Sequence, residues 1–232
     1  MDSLAERDLL SMRWRDALFA HWDVEPSVVD AHLPPSVDVA THDGRAWLGI
    51  VPFEMTDIRP RCAPVGLSFG EINLRTYVEH DGRKGVYFFN LDADDPVGVP
   101  LARWLFHLPY YRATVDVTRR EDAVRFTSHR THRGAPPAHF DATYRPTGEV
   151  FEPESGSLAA FLVENYSFFT GTDGALYRGD IRHDPWPLQE GEVTIHSSTL
   201  FEANGFERPD ESPLVHYSAG CPVTAGAIRR VE

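Results

Sequence analysis

Turn-forming residues divide most of this sequence into short segments, and this pattern constrains the fold more than any other feature of the chain. The turn sequences HDG, HDGRKG, TRRED and GTDG stand at residues 42–44, 80–85, 118–122 and 171–174. The segments between them are rich in β-branched and aromatic residues, which favour strands. Roughly ten to twelve strands fit at this spacing from about residue 37 to about residue 226, and they predict a mostly antiparallel sandwich or barrel.

A helix is predicted near the N-terminus. Ser3 and Glu6 have the spacing of a capping box, and Leu10, Trp14 and Leu18 recur at intervals of four residues. This spacing would place the apolar side chains on one face of a helix that covers about residues 4–20.

Three further helices are predicted. Pro26 suits the first turn of a short helix that ends before Pro34, a second helix covers about 94–108, and a third covers about 157–163. The predicted class is therefore mainly β with a few helices (α+β). Because the chain has no internal repeat and no clear linker, residues 1–232 are interpreted as a single domain.

Composition excludes several classes of function. A formal net charge of −13 argues against a nucleic-acid partner, because phosphates would be repelled. No apolar run is long enough to cross a bilayer, so no membrane partner is expected. The acidic N-terminus lacks the features of a signal peptide, which predicts a cytoplasmic protein.

Cofactor sites also lack support in the sequence. Cys62 and Cys221 are far apart, so neither a disulfide framework nor a thiolate metal site is expected. The chain contains neither a G-x-G-x-x-G motif nor a P-loop, and no nucleotide cofactor is expected.

The segment GLSFG at residues 66–70 matches G-x-S-x-G, the motif of the nucleophile elbow in serine hydrolases. In an elbow, a strand leads into the serine and a helix follows it. Here the residues before Ser68 favour a loop, and those after it alternate as a strand. Ser68 is therefore interpreted as part of a loop that enters a strand, and not as a nucleophile.

The strand that follows carries polar side chains along one face. At a period of two residues, this face presents Glu71, Asn73, Arg75, Tyr77 and Glu79. One interpretation is an ordinary half-buried strand with its polar side in water. The other is the wall of a binding pocket.

The next strand favours the pocket. The segment GVYFFNL at residues 85–91 is apolar on both faces, and strands joined by a short hairpin share both faces. One of its aromatic sets is therefore expected beside the polar side chains, and we assign Tyr87 and Phe89 to the apolar wall. Apolar surface with a few convergent polar groups is typical of a small-molecule site.

Each polar residue has a predicted role in such a pocket. Glu71 is the predicted hydrogen-bond acceptor or general acid/base, Arg75 the anion partner, and Asn73 an orienting hydrogen bonder. The alternative is a non-catalytic structural or interaction module, in which Glu71 and Arg75 only stabilise the barrel.

Other residues with reactive side chains have simpler explanations. Asp92, Asp94 and Asp95 precede the predicted helix at 94–108, where carboxylates cap free amides and suit the helix dipole. The chain's histidines at 129, 132 and 139 meet no zinc spacing, so no metal site is predicted.

Two further segments carry candidate site residues. Lys84 is the sole lysine and lies in the turn HDGRKG, whereas a Schiff-base lysine needs a desolvated pocket. The segment at 176–188 is interpreted either as the rim of a pocket or as a packed corner; its candidate residues are Tyr177, Arg178, His183 and Trp186.

Six segments of the chain resemble a known family. They are AWLGIVPFEM, FGEINLRTYV, GVYFFNLDAD, ARWLFHLPYYRA, LYRGDIRHDPWPL and LVHYSAG, in this order from about residue 46 to 219. Together they resemble the YqjF-like family (domain of unknown function 2071) of uncharacterised bacterial and archaeal proteins. That family is similar in fold to acetoacetate decarboxylase, which implies a cone-shaped antiparallel barrel.

The resemblance also implies what chemistry to look for. In acetoacetate decarboxylase, a pocket lysine forms a Schiff base with a carboxylate and an arginine nearby. Glu71 resembles that carboxylate in its place on a strand, but the lysine has no match, because Lys84 lies in a turn. The expectation is a pocket for a small organic molecule, carboxylated or acyl, with a lyase or hydrolase without a Schiff base as the enzymatic version. Whether a reaction occurs, which ligand binds and whether a homo-oligomer forms stay open.

Overall fold

The computed structural model describes residues 8–60, 63–95, 99, 103, 106–172 and 174–231. Strands dominate this part of the chain, and its helices are short. No helix among these residues is long and apolar enough to span a membrane. The predicted class, mainly β with a few helices, is confirmed.

The described residues form thirteen strands and three helices. The strands are β1 Leu10–Val24, β2 Asp38–Val39, β3 Ala46–Pro60, β4 Leu67–His80, β5 Arg83–Ala93, β6 Tyr110–Arg120, β7 Ala123–Arg130, β8 His139–Phe151, β9 Ser167–Thr172, β10 Ala175–Arg182, β11 Leu188–Ser198, β12 Leu214–Ala225 and β13 Arg229–Arg230. The helices are α1 Pro26–Asp30, α2 Leu158–Val163 and α3 Leu200–Ala203.

All thirteen strands belong to one sheet. Their order is β13-β10-β9-β5-β6-β7-β8-β11-β12-β1-β3-β4-β2, and further pairings join β4 to β5 and β10 to β12. These two pairings return the sheet onto itself, as in a barrel. Pairing is mostly antiparallel, as predicted; β5 is the exception, because it pairs in parallel with both β6 and β9.

The hairpin between β4 and β5 positions the site, and it forms as predicted. Asp81 and Gly82 make the turn with φ of 49° and 71°. Two successive residues with positive φ define the turn that matches the twist of a two-residue hairpin, and Asp-Gly suits it. The turn pairs His80 with Arg83 and so fixes the register of both strands.

Alternate residues of β4 enter two different cores. Ile72 and Leu74 are fully buried on one side, together with Phe126 of β7. Tyr77 is buried on the other side, in the core that includes Leu91 of β5. The predicted alternation of this strand is therefore confirmed, but its polar face points into the protein and not into water.

The predicted helix over residues 4–20 is wrong where the structure describes it, because this part of the chain belongs to β1. A four-residue interval is a multiple of two, so Leu10 and Trp14 share a face in a strand as they would in a helix. Met12 lies on that face too, and all three line one cavity. Irregular pairing between Arg15 and residue 20 then turns Leu18 toward the other core. The capping box at residues 3 and 6 lies outside the described residues.

The other predicted helices differ in outcome. The helix from Pro26 is α1, and the helix at 157–163 is α2, which Ser157 caps by accepting a hydrogen bond from the Ala160 backbone N–H. The predicted helix at 94–108 falls largely outside the described residues. Helix α3 was not predicted.

Candidate functional site

A cavity of about 130 Å³ lies on the side of β4 that carries Glu71 and Arg75. Most of its wall is aromatic or aliphatic: Leu10, Met12, Trp14, Phe19, Met55, Ile58, Val86, Phe88, Leu91, Phe106, Leu108, Val163, Phe168, Ile181, Trp186 and Ala225. Its polar lining residues are Glu71, Arg75, Tyr110, Asn165, Ser167 and His183. An apolar cavity with a few polar groups has the composition of a small-molecule site.

Glu71 is a buried carboxyl in the wall of this cavity. Only 2% of the residue is exposed, and the Tyr110 hydroxyl donates a 2.7 Å hydrogen bond to its Oε2 atom. Burial raises the pKa of Glu71 from 4.5 to about 7, although hydrogen bonds from Tyr110 and Asn73 oppose the rise. The negative charge of Asp92 adds to it. Near neutral pH, Glu71 can therefore both accept and donate a proton.

Asn73 lies between Glu71 and Arg75 on the same face of β4 and is also buried. Its side chain donates toward Glu71, which is why it lowers the pKa of that carboxyl. Its Oδ1 atom has no hydrogen-bond partner among the described residues. The amide is thus placed to orient Glu71 and retains a free acceptor.

Arg75 is the cation of the cavity. Its Nη2 atom donates to the Leu162 carbonyl over 3.3 Å, and its guanidinium lies 5.5 Å from the centre of the Phe19 ring. Within the described ranges, no carboxylate forms an ion pair with Arg75. Its Nε atom is buried and without a hydrogen-bond partner there. A half-buried guanidinium in this state favours an anion from outside the chain.

Tyr77 and His21 lie beside Arg75 and are hydrogen-bonded to each other. The Tyr77 hydroxyl donates to the Leu162 carbonyl over 2.7 Å and lies 2.6 Å from Nε2 of His21. Because the carbonyl can only accept, the Tyr77 proton points to Leu162, and His21 Nε2–H must donate to the hydroxyl. Burial, and then the charge of Arg75, hold the pKa of His21 well below its ordinary value, so the ring is neutral.

A glycine makes room for this arrangement. A Cβ atom at Gly49 would lie 2.7 Å from Cδ2 of His21, which is closer than real Cβ contacts. The sequence interpretation missed His21, which follows directly after the helix predicted over residues 4–20. The isolated histidine in an otherwise apolar stretch was the available sign.

Tyr87 and Phe89 were predicted to form part of the apolar wall, and this placement is wrong. Both lie on the opposite face of β5. Tyr87 packs beside a small core that includes Phe169, and Phe89 packs on Phe206 with ring centres 4.8 Å apart.

The register of β5 against β4 explains which residues of β5 line the cavity instead of Tyr87 and Phe89. β5 pairs Val86 with Tyr77 and Phe88 with Arg75, so Val86 and Phe88 share the face of the cavity. A bulge then follows, because Leu74 pairs with Asn90 while Arg75 pairs with Phe88. The bulge adds one residue to β5 and returns the next side chain, at position 91, to the cavity.

The segment at 176–188 contributes only in part. His183 and Trp186 line the cavity, whereas Tyr177 and Arg178 do not. Trp186 also packs at a corner of the chain, since its ring stacks on that of Trp14 with ring centres 5.6 Å apart. Tyr110, which the sequence interpretation did not select, belongs to the site through its hydrogen bond to Glu71.

Lys84, the only lysine of the chain, lies outside the cavity. It is exposed at the start of β5, with Nζ 5.3 Å from the centre of the Phe161 ring of α2. The cavity that contains Glu71 therefore has no lysine for a Schiff base.

The remaining candidates have structural contacts. Ser68 is an exposed strand residue whose Oγ accepts a hydrogen bond from the backbone N–H of Asp57. Asp92 forms a buried ion pair with Arg130 at 2.8 Å, and Asp94 accepts from the Gly70 N–H. The helix that these aspartates were predicted to cap falls largely outside the described residues. Among the described residues, no cluster of three or more His, Cys, Asp and Glu side chains is arranged to hold a metal ion.

Comparison with known proteins identifies the family of the chain. Residues 11–222 match the model of the DUF2071 family, described as an uncharacterized conserved protein. The chain is 40% identical over 225 residues to the uncharacterized protein YqjF of Bacillus subtilis, across 96% of this chain and 92% of that protein.

Solved structures give the fold. An acetoacetate decarboxylase-like enzyme from Sphingomonas wittichii RW1 matches with a TM-score of 0.64 and 18% identity, over 99% of this chain and 95% of that one. The enduracididine biosynthesis enzyme MppR, in complex with pyruvate, matches with a TM-score of 0.67 and 14% identity, over 97% and 91%. The chain therefore belongs to the YqjF-like DUF2071 family and has an acetoacetate decarboxylase-like fold.

Proposed function

We propose that this protein binds a small organic carboxylate in the cavity beside β4. The observation that carries the proposal is Arg75, a half-buried guanidinium without a carboxylate partner among the described residues, in the same apolar cavity as the buried carboxyl of Glu71. A carboxylate from the ligand would complete the ion pair that Arg75 lacks.

The size and lining of the cavity limit the ligand. An apolar cavity of about 150 Å³ holds a molecule the size of benzene, and this cavity measures about 130 Å³. Its aromatic and aliphatic wall favours an acid with a short apolar body over a sugar or a nucleotide. The solved structure of MppR holds pyruvate, and a ligand of this class, a small acid, is what we propose here.

Glu71 gives the site its chemistry. With a pKa of about 7, its carboxyl exists in both protonation states near neutral pH. We propose that it transfers a proton to or from the bound acid or acyl compound, with Asn73 orienting it and Tyr110 stabilising its charged form. The reaction would be that of a lyase or hydrolase without a Schiff base, since Lys84 is remote.

The first experiment is a thermal-shift screen of short carboxylic acids, keto acids, lactones and acyl compounds. A ligand that binds only the folded state raises the melting temperature by mass action. We expect the shift in the native protein and not in Arg75→Met. The control is Arg45→Met, because Arg45 lies on the surface and pairs with Asp23. No shift with any acid, or a shift that persists in Arg75→Met, would contradict the proposal.

Catalysis is tested separately on each ligand that binds. Conversion is followed by proton NMR with the native protein and with Glu71→Gln. Turnover that Glu71→Gln abolishes, while the ligand still binds, would support the enzymatic version. Binding without turnover would leave a carboxylate-binding protein.

A structural role is the second candidate, and one observation favours it. Glu71 is hydrogen-bonded to Tyr110 of β6, and Arg75 and Tyr77 both donate to the Leu162 carbonyl of α2, so the polar face of β4 connects this strand to β6 and α2. In this case, Glu71→Gln would lower the melting temperature without a change in the binding of any ligand. A large loss of ligand affinity at unchanged stability would exclude it.

A further inference from the structure

A second polar patch lies in the same cavity, away from β4. His183 and Trp14 both line the cavity, with ring centres 6.3 Å apart. Nε2 of His183 and Nε1 of Trp14 are buried, and neither has a hydrogen-bond partner among the described residues. A buried polar atom without a partner is unfavourable, so both atoms favour a ligand that can satisfy them.

The two atoms have opposite hydrogen-bonding roles. Nδ1 of His183 lies 2.8 Å from the Asp184 carbonyl, which can only accept, so Nδ1 carries the proton. In the neutral ring, Nε2 is then an acceptor. The indole Nε1–H of Trp14 is a donor only. A hydroxyl is the small group that donates one hydrogen bond and accepts another.

We infer that Trp14 and His183 form a hydroxyl-binding subsite, and that the ligand is a small hydroxy acid whose hydroxyl lies at the end remote from its carboxylate. The inference rests on the proposed function, in which Arg75 holds the carboxylate. It adds the second polar group of the ligand and the two residues that select it.

Aromatic rings separate the two ends. Phe19 lies 5.5 Å from the Arg75 guanidinium and packs edge-on against Trp186 at 5.0 Å. Trp186 in turn lies 5.4 Å from the His183 ring. An apolar stem of the ligand would therefore lie along Phe19 and Trp186, with its charged group at one end and its hydroxyl at the other.

The test compares pairs of acids that differ only at the remote end. Straight-chain ω-hydroxy acids, from hydroxybutanoic to hydroxyoctanoic acid, are each matched with the acid that carries a methyl group in place of the hydroxyl. Affinities are measured by calorimetry for the native protein, Trp14→Phe and Trp47→Phe. Trp47 is the matched control, because its Nε1 is also buried without a partner among the described residues, but its side chain does not line the cavity.

We expect the native protein to bind the best-fitting hydroxy acid about tenfold more tightly than its methyl partner, because the methyl compound leaves both ring nitrogens unpaired. Trp14→Phe should reduce this ratio to near one, and Trp47→Phe should preserve it. His183→Phe, which keeps a stacked ring and removes both nitrogens, should also lose the preference. It serves as the second variant if Trp14→Phe melts early.

Equal affinity for the two acids of every pair, or a preference that survives both cavity variants, would overturn the inference. If both series bind in an Arg75-dependent way without a preference, the proposed carboxylate site stands and only the hydroxyl subsite fails. If neither series binds, the hydroxyl subsite fails, and the carboxylate site is then decided by the keto acids and the other acids of the thermal-shift screen.

Discussion

The Tyr110 hydroxyl donates a 2.7 Å hydrogen bond to Oε2 of Glu71, although the two residues lie on different strands and both are buried. This contact stabilises the charged form of Glu71, while burial stabilises the neutral form. Burial has the larger effect, and the balance places the pKa of Glu71 at about 7. The same contact raises the pKa of Tyr110, after burial itself, so the hydroxyl keeps its proton.

The opposing effects of burial and of the Tyr110 hydrogen bond predict how Glu71 titrates. In the native protein, the Glu71 carboxyl should titrate near pH 7, and Tyr110→Phe should raise its pKa further, because the charged form loses a donor. Carbon-13 NMR of the glutamate side chains measures both values, and the resonance that disappears in Glu71→Gln provides the assignment. Titration near the ordinary value of 4.5 would show that the carboxyl is solvated.

Stability should depend on pH for the same reason. The folded protein holds the Glu71 proton up to about pH 7, whereas the unfolded chain releases it near 4.5. The free energy of unfolding should therefore fall as pH rises from about 4.5 to 7, by about 3 kcal/mol from this residue. Above pH 7 the loss is complete.

Glu71→Gln should remove this contribution. Urea unfolding at a series of pH values should show a flatter profile for the variant than for the native protein over that range. A variant that is less stable than the native protein by the same amount at every pH would point to lost packing and not to a buried proton.

The hydroxyl of Tyr77 should contribute to the free energy of unfolding in addition to the packing of its ring. Tyr77→Phe leaves the buried Nε2–H of His21 without an acceptor, whereas the Leu162 carbonyl keeps the longer hydrogen bond from Arg75. A buried group left unpaired costs about 1–3 kcal/mol, and urea unfolding should show a loss in this range. The control is Tyr87→Phe, whose hydroxyl makes no hydrogen bond among the described residues. Equal losses in the two variants would contradict the His21–Tyr77–Leu162 arrangement.

Substitutions of two adjacent phenylalanines should affect ligand affinity and protein stability separately. Phe88 lines the cavity and Phe89 packs on Phe206 outside it. Phe88→Leu should weaken binding of an identified ligand about fivefold or more, through the loss of apolar contact. Phe89→Leu should lower the melting temperature and leave affinity nearly unchanged. Calorimetry and thermal melting of the two variants give both quantities, and the opposite pattern would place the ligand on the other face of β5.

The sequence predicted the features that depend on local pattern. Asp81 and Gly82 specify a two-residue turn, and the strict alternation from Glu71 to Tyr77 specifies which side chains share a face. Both were confirmed, since each depends on residues that are close along the chain.

Features that depend on distant residues were not predicted. The face of β5 that meets the cavity depends on the bulge after Phe88, which pairing with β4 determines. The contact between Tyr110 and Glu71 spans 39 positions along the chain. For β1, the four-residue spacing of Leu10 and Trp14 fits a strand and a helix equally, and only its two neighbouring strands decide between them.

The pairing of β1 with β12 also determines when folding can finish. Leu10 pairs with Ala225 and His21 with Leu214, so two strands that are far apart along the chain hold each other. During synthesis, β1 has to wait until β12 has left the ribosome before this edge is covered. Pairing over such a long separation is slow, and an open edge invites association with other chains. Chains cut before β12 should therefore aggregate, and the sheet should be completed only after β12 has been synthesised.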